Sequence, residues 1–254
     1  MTTTLFLTDL DDTLFRSLHK HASTKGLTQV TTALNDRHGF SAPHENRLLE
    51  TAKASGLVIP VTARSREAFD RVDLSFGTKR AVLSNGAVVL DENGDPDAGW
   101  ASQMSYIGHE SSHDMRGMMC MIREEFADAV RTWIVEENDA PAYLCMKVNG
   151  NPDENEAGRV ISEAGAVLME HFDLSEFQHH VNGNNLSLTP AGISKKAAVE
   201  HLVKSLDNRP ELIIGIGDSL TDLPFMGVCD FMMTPSGSQI SQAWARSGKG
   251  DDHA

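Results

Sequence analysis

The sequence predicts an α/β protein: a parallel-sheet core, residues 1–86 plus 189–254, interrupted by an inserted α+β domain at 87–188. Three features predict it. Short apolar runs alternate with helical patterns at both ends of the chain. Each of four such runs is followed by a carboxylate, hydroxyl or amide residue. The stretch 87–188 has another texture, richer in Gly, Asn, Glu and His, with less uniformly apolar elements.

The first run, Thr4–Thr8, is β-prone and breaks at Asp9-Leu10-Asp11-Asp12-Thr13, as a buried strand entering a polar loop would. Residues 19–42 are polar, and Asn35-Asp36-Arg37-His38-Gly39 is a turn signal, so a hairpin with 28–34 as one arm is expected. Leu48, Leu49 and Ala52 share one face of a helix expected over 43–55, with Pro43 suited to its first turn and Gly56 to its stop. Residues 57–61, Leu-Val-Ile-Pro-Val, read as a buried parallel strand ending at Thr62-Ala63-Arg64. A short helix around Glu67 leads to a strand at Ala81-Val82-Leu83, which ends at Ser84-Asn85-Gly86.

Inside the insert, helices are expected at 122–135 and 154–164, and strands at 143–148, 166–169, 177–181 and 186–188. Beyond it, Ala198, Val199, Leu202, Val203 and Leu206 mark an amphipathic helix from about Ser194. Leu212-Ile213-Ile214-Gly215-Ile216 is a further buried strand, ending at Gly217-Asp218, and Phe231-Met232-Met233 a final short one. This alternation is that of a Rossmann-like core.

The 254 residues are 40% hydrophobic, enough for a large domain or a domain with an insert. A net charge of -14 argues against general nucleic-acid or anionic-membrane binding, since both need a basic surface. It leaves room for a small anionic substrate, because one metal ion and a few cations override the global charge locally. Cys120, Cys145 and Cys229 lie far apart without zinc-finger or disulfide-framework spacing, so free thiols in a reducing cytoplasm are expected. The start, Met1-Thr2-Thr3-Thr4, lacks the basic region of a signal peptide, and no apolar run approaches a membrane span. The chain is therefore expected to be soluble and cytoplasmic, as a monomer or homodimer.

The polar residues that follow the strands carry the chemistry. Asp9 and Asp11, Thr62, Asn85, and Asp218 with Asp222 all follow apolar runs. In a parallel sheet these ends share one edge, where such folds bind ligands. Carboxylates converging there repel one another unless a cation sits among them, and oxygen-only ligands favour a hard ion, usually Mg²⁺. Such a site suits phosphoryl transfer: an Asp attacks phosphorus, and a second carboxyl two residues on moves the proton. Thr62 and Lys195 can hold the remaining phosphate oxygens. Lys195 competes with Lys196 for that place, and motif register favours Lys195.

At these residues the sequence resembles the haloacid dehalogenase-like phosphatases. The first motif is Asp9-Leu10-Asp11-Asp12-Thr13-Leu14, the second Val61-Thr62-Ala63-Arg64, the third Lys195, and the fourth Gly217-Asp218-Ser219-Leu220-Thr221-Asp222. All four occur in the family's order. The long insert looks like a cap of the second structural type, and Ser84-Asn85-Gly86-Ala87 resembles the approach to that cap in Cof-type and sucrose- or trehalose-phosphate phosphatases. The resemblance implies that Asp9 is nucleophile and metal ligand, and that Asp11 is acid/base with its backbone carbonyl on the metal. It implies that Asp218 is a metal ligand and Asp222 a ligand through water or an anchor behind it. Asp12 stands where many members have Gly, and 19–42 is longer than the matching loop of Cof-type enzymes. Arg64 and Asn85 are placed to touch substrate or to serve the fold.

The implied function is Mg²⁺-dependent hydrolysis of a small phosphorylated metabolite, a sugar phosphate being one candidate, through an aspartyl-phosphate. A phosphomutase of the same superfamily would need a second phosphate grip in the cap, where basic residues are few (Arg116, Arg123, Arg131, Lys147, Arg159). A receiver-type signalling module is about half this length and orders its acidic residues differently. His109 and His113 read as an exposed polar face, and His179-His180 as a surface strand. Met115, Met118, Met119 and Met121 read as apolar packing.

Overall fold

The structure, a computed structural model, describes residues 4–33, 38–150 and 152–247. In chain order its elements are β1 (Thr4–Thr8), β2 (Arg16–Ser17), β3 (Thr28–Gln29), β4 (Gly39–Ser41), α1 (Pro43–Ser55), β5 (Gly56–Pro60), α2 (Arg66–Phe69), β6 (Ala81–Leu83) and β7 (Val88–Leu90). Then come α3 (Ala98–Glu110), α4 (Ser112–Phe126), β8 (Val130–Glu137), β9 (Ala140–Val148), α5 (Glu154–Met169), β10 (Phe177–Asn182) and β11 (Asn185–Pro190). The chain ends with α6 (Lys195–Ser205), β12 (Leu212–Ile216), α7 (Leu223–Met226), β13 (Phe231–Met233) and α8 (Gln239–Ser247). It divides into two compact units, Met1–Asp97 with Lys195–Ala254, and Ala98–Ser194.

In the first unit, β13, β12, β1 and β5 form a parallel sheet in that order. The apolar runs read from the sequence make all four of these strands, and β1 lies between β12 and β5. Alternate residues of β1 face opposite sides. Phe6 joins Val58, Ile216 and the α1 residues Leu49 and Ala52 in one apolar cluster. Leu7 lies with Ile213 and the α6 residues Val199 and Val203 around a small cleft. Glu45 starts α1, its Oε2 accepting from Ala42 N–H at 2.7 Å, while its Oε1 pairs with Arg16 at 2.7 Å.

In the second unit, β10, β11, β9 and β8 form an antiparallel sheet in that order. Met115, Met118 and Ile122 of α4 and Val160, Ile161, Ala164 and Leu168 of α5 bury one face of it, against Leu144, Met146, Leu186 and Leu188. The methionines are core, as expected. Gly108 of α3 is held against Pro141 of β9 so closely that a Cβ would overlap the Pro141 carbonyl.

Several expectations need correction. The helix expected at 122–135 ends at Phe126, and Val130–Glu137 is a strand. Val130 and Thr132 are buried while Arg131 and Trp133 are exposed, a period of two that the helical reading missed. Residues 166–169 form the end of α5 and not a strand; Leu168 continues the buried stripe of Val160, Ile161 and Ala164. β6 is not a full member of the parallel sheet. It pairs antiparallel with β7 and meets β5's end through the single parallel bridge Val61–Val82. The hairpin arm expected at 28–34 is the two-residue β3, paired with β4, and residues 34–37 of its turn lie outside the described residues. The insert expected at 87–188 would begin at β7, whereas the second compact unit begins after that hairpin, at Ala98. Helices α3 and α8 carried no expectation.

Candidate active site

Asp9 follows β1 directly. Its N–H donates to Ile216 O at 2.8 Å, extending the ladder with β12 by one residue. Thr62 follows β5, beyond Val61, whose N–H donates to Thr8 O at 2.8 Å. Asp218 follows β12, and Asp222 caps the start of α7. These positions lie at the C-terminal edge of the sheet because its strands are parallel. Lys195, the first residue of α6, reaches into the same place. Its Nζ donates to Asp9 Oδ1 and to Asp222 Oδ1, each at 2.7 Å. Lys196 instead lies near Glu200 on the exposed side of α6, at 3.9 Å.

One oxygen from each of Asp9, Asp218 and Asp222 lies within 4.8 Å of the others. All three residues are buried, with Asp218 the most exposed at 9%. Three carboxylates and one ammonium leave an excess of negative charge in a site with little water. Burial pushes the Asp9 carboxyl well up, and Asp222 and Asp11 add to this against the pull of Lys195. Burial, with Asp222 and Asp12 nearby, raises Asp218 to about 6. Burial works against the Lys195 charge, but Asp9 and Asp222 outweigh it and raise its pKa. Burial also acts on Asp222, yet Lys195 and the hydrogen bonds from Ser219 hold it below the ordinary carboxylate range.

This donor set fits a hard divalent cation. Lys195 occupies Asp9 Oδ1, and Thr13 Oγ1 donates to Asp218 Oδ1 at 3.2 Å. Among the described residues, Asp9 Oδ2 and Asp218 Oδ2 have no hydrogen bond, so both are available to an ion. Asp222 differs. Its Oδ1 takes Lys195, and its Oδ2 takes Ser219 N–H at 3.1 Å and Ser219 Oγ at 2.8 Å. With both oxygens engaged, Asp222 suits the role of an anchor. Gly217 permits this packing, since a Cβ there would stand 2.7 Å from the Asp222 Cβ.

Asp11 is outside that group. The loop after Asp9 is tight: Leu10 O accepts from Leu14 N–H at 2.8 Å, Asp12 has a φ of 60°, and Leu10 is fully buried. The Asp11 carboxylate meets Arg64, which donates through Nε to Oδ2 at 2.7 Å and through Nη2 to Oδ1 at 2.8 Å. Burial opposes the Arg64 charge, and Asp11 more than restores it, so the guanidinium pKa is raised.

Asn85 lies in a turn held by the Thr62 and Arg64 backbone. Asn85 N–H donates to Thr62 O at 3.2 Å, and Ser84 N–H to Arg64 O at 2.8 Å. Ser84 and Asn85 have φ of 52° and 56°, a costly conformation for two consecutive residues with side chains. That turn braces the segment carrying Thr62, which is itself 1% exposed.

Sequence reasoning did not single out Thr13 or Ser219 as site residues. Thr13 lies within the Asp9 motif and Ser219 directly follows Asp218, so motif membership was the available signal. His109 and His113, both exposed, belong to α3 and α4 respectively, and His179-His180 lies on β10. No helix among the described residues is long and apolar enough to cross a membrane.

Residues 135–234 match the sequence profile of the haloacid dehalogenase-like hydrolases. No curated protein matches the chain significantly. Among solved structures, the chain is similar to the C-terminal domain of a trehalose-6-phosphate phosphatase from C. albicans, with a TM-score of 0.56 at 13% identity, over 89% of this chain and 73% of that one. It is similar to a sucrose-phosphatase from Synechocystis sp., solved with sucrose and phosphate, with a TM-score of 0.55 at 16% identity, over 98% of each chain. At these identities the likeness concerns the fold.

Proposed function

We propose that this chain, a member of the haloacid dehalogenase-like hydrolase superfamily, is a Mg²⁺-dependent phosphatase acting on a small phosphorylated metabolite. The observation that carries the reading is Lys195 Nζ held between Asp9 and Asp222 beside Asp218, at the C-terminal edge of a parallel sheet. An ammonium and a cation-seeking carboxylate set make a receptor for a phosphate that arrives with a metal ion.

Asp9 is the nucleophile. One of its oxygens bonds to phosphorus as the ester oxygen leaves with its electron pair, giving an aspartyl-phosphate. Asp11 gives the leaving oxygen a proton, then takes one from the water that attacks phosphorus and frees Asp9. Lys195 and Thr62 hold phosphate oxygens in line for attack. Asp9, Asp218 and the Asp11 carbonyl would hold Mg²⁺, with Asp222 behind them fixing Lys195 and the Ser219 turn. The ion, when bound, draws charge from the phosphate and shields it from the approaching carboxylate.

The trehalose- and sucrose-phosphate activities of the two structural relatives make sugar phosphates the first class to test. We assign the second unit the role of a cap that selects the substrate, because the site residues of the first unit handle only phosphate and metal. The free thiols suit a cytoplasmic enzyme. The test is phosphate release across a panel of phosphorylated metabolites with Mg²⁺, alongside a folded phosphoprotein. Turnover of several small metabolites is expected. Faster turnover of the phosphoprotein than of every metabolite would refute the substrate class.

A further inference from the structure

We propose that Arg64 is a positioning residue for the acid/base: it acts through Asp11 and does not grip substrate. This rests on the phosphatase reading above. The guanidinium is fixed on three sides. Its Nε and Nη2 take both oxygens of Asp11, at 2.7 and 2.8 Å, and its Nη1 donates to Ala68 O at 3.3 Å. Its flat face lies over the Phe15 ring, 5.1 Å from the centroid. A planar fork with its donors so committed is a post against which a short carboxylate is oriented.

Asp11 needs such a post. Its side chain is 42% exposed, against 22% for Arg64, and it belongs to the one turn that must carry both nucleophile and acid/base. Leu10, between them, is buried and anchors that turn. Nothing in the carboxylate group of Asp9, Asp218 and Asp222 restrains the Asp11 side chain, and repulsion from it would turn Asp11 outward. The Arg64 fork opposes free rotation while leaving the outer lone pairs of both Asp11 oxygens open to a proton. Phe15 belongs to the same turn, so loop, ring and fork move as one piece.

In the first step, formation of the aspartyl-phosphate, a residue acting through the proton carrier matters only as far as the leaving group needs that proton, and kcat/KM reports that step. para-Nitrophenyl phosphate has a leaving group stable as an anion, whereas phenyl phosphate, of nearly the same shape, gains more from protonation. Arg64→Ala and Arg64→Gln should therefore lower kcat/KM for phenyl phosphate about tenfold more than for para-nitrophenyl phosphate. Arg64→Lys should behave like them, because an ammonium cannot form the fork. In an Asp11→Ala background the same Arg64 substitutions should change neither rate further.

Steady-state kinetics of these variants on both esters, with thermal melts to verify folding, tests the proposal. Equal losses of kcat/KM on the two esters in folded variants would overturn it. So would a loss that persists in the Asp11→Ala background, which would mark Arg64 as a substrate contact. If wild-type protein with Mg²⁺ turned over neither ester, the phosphatase reading would fail first and take this one with it.

Discussion

Asp218→Asn should stabilise the metal-free protein near neutral pH and abolish its response to metal. Asp218 is 9% exposed, and burial with Asp222 and Asp12 raises its pKa from 3.8 to about 6. Between about pH 4 and pH 6 the native state therefore holds a proton that the unfolded chain has already released. For this group, stability is greatest below about pH 4 and is lost as pH rises through about 6. The displacement corresponds to roughly 3 kcal/mol of destabilisation at pH 7.5. Asn removes the charge and keeps an oxygen for Thr13 Oγ1, but buries an amide group, which returns about 1 kcal/mol. The net gain is about 2 kcal/mol, or ~4–8 °C in Tm for a chain of this size. The assay is thermal unfolding by circular dichroism in EDTA at pH 7.5 and pH 4.5. The variant should melt higher at pH 7.5, and the difference should shrink at pH 4.5, where wild-type Asp218 is protonated. Added Mg²⁺ at 100 times its Kd should stabilise wild type by about 2.7 kcal/mol and leave the variant unmoved. A variant less stable than wild type at pH 7.5 in EDTA, or one with equal gains at both pH values, would refute the electrostatic account.

Lys195→Met should destabilise by about 3–5 kcal/mol, because it leaves Asp9 and Asp222 buried without their cation; urea unfolding in EDTA would measure it. The loss should lessen as pH falls, because burial raises the Asp9 pKa and the carboxyl takes up a proton. Asp9→Asn should remove phosphatase turnover with an unchanged far-ultraviolet spectrum, since an amide is no nucleophile at phosphorus, and a phosphate-release assay on verified protein decides it. Gly108→Ala should lower stability by about 1–3 kcal/mol through the overlap with the Pro141 carbonyl, read as an earlier urea transition. Asp222→Asn should weaken Lys195 positioning and cut turnover while Mg²⁺ binding persists in calorimetry, whereas loss of metal affinity as deep as in Asp218→Asn would make Asp222 a direct ligand.

The first unit was legible because its strands are short, apolar and closed by polar residues. Leu5-Phe6-Leu7 and Leu212-Ile213-Ile214 admit little but a buried strand, and the carboxylates after them had to share an edge once the strands were parallel. The other unit was harder to read. Its sheet has one apolar face, so Val130-Arg131-Thr132-Trp133 carries a two-residue period too short to separate from the helix before it. Leu168 and Met169 looked like the end of a strand because the helix read at 154–164 was stopped five residues short; α5 runs on to Met169, with Leu168 buried and Met169 exposed. The partners inside the site were the least accessible. Spacing placed Asp11 beside Asp9, but only the turn of Leu10 and Asp12, with its positive φ, directs the Asp11 carboxylate to Arg64. Nothing in Val61-Thr62-Ala63-Arg64 reveals that the arginine stacks on Phe15.

The central claim is that Asp9 forms a covalent bond to phosphorus. It is tested most directly by acid-quenching wild-type protein during turnover of para-nitrophenyl phosphate with Mg²⁺, then mapping the modified peptide by mass spectrometry. A phosphoryl adduct, labile to hydroxylamine and confined to Asp9, is expected in wild type and absent from Asp9→Asn. An adduct on another residue, or continued turnover by Asp9→Asn at the wild-type rate, would contradict it.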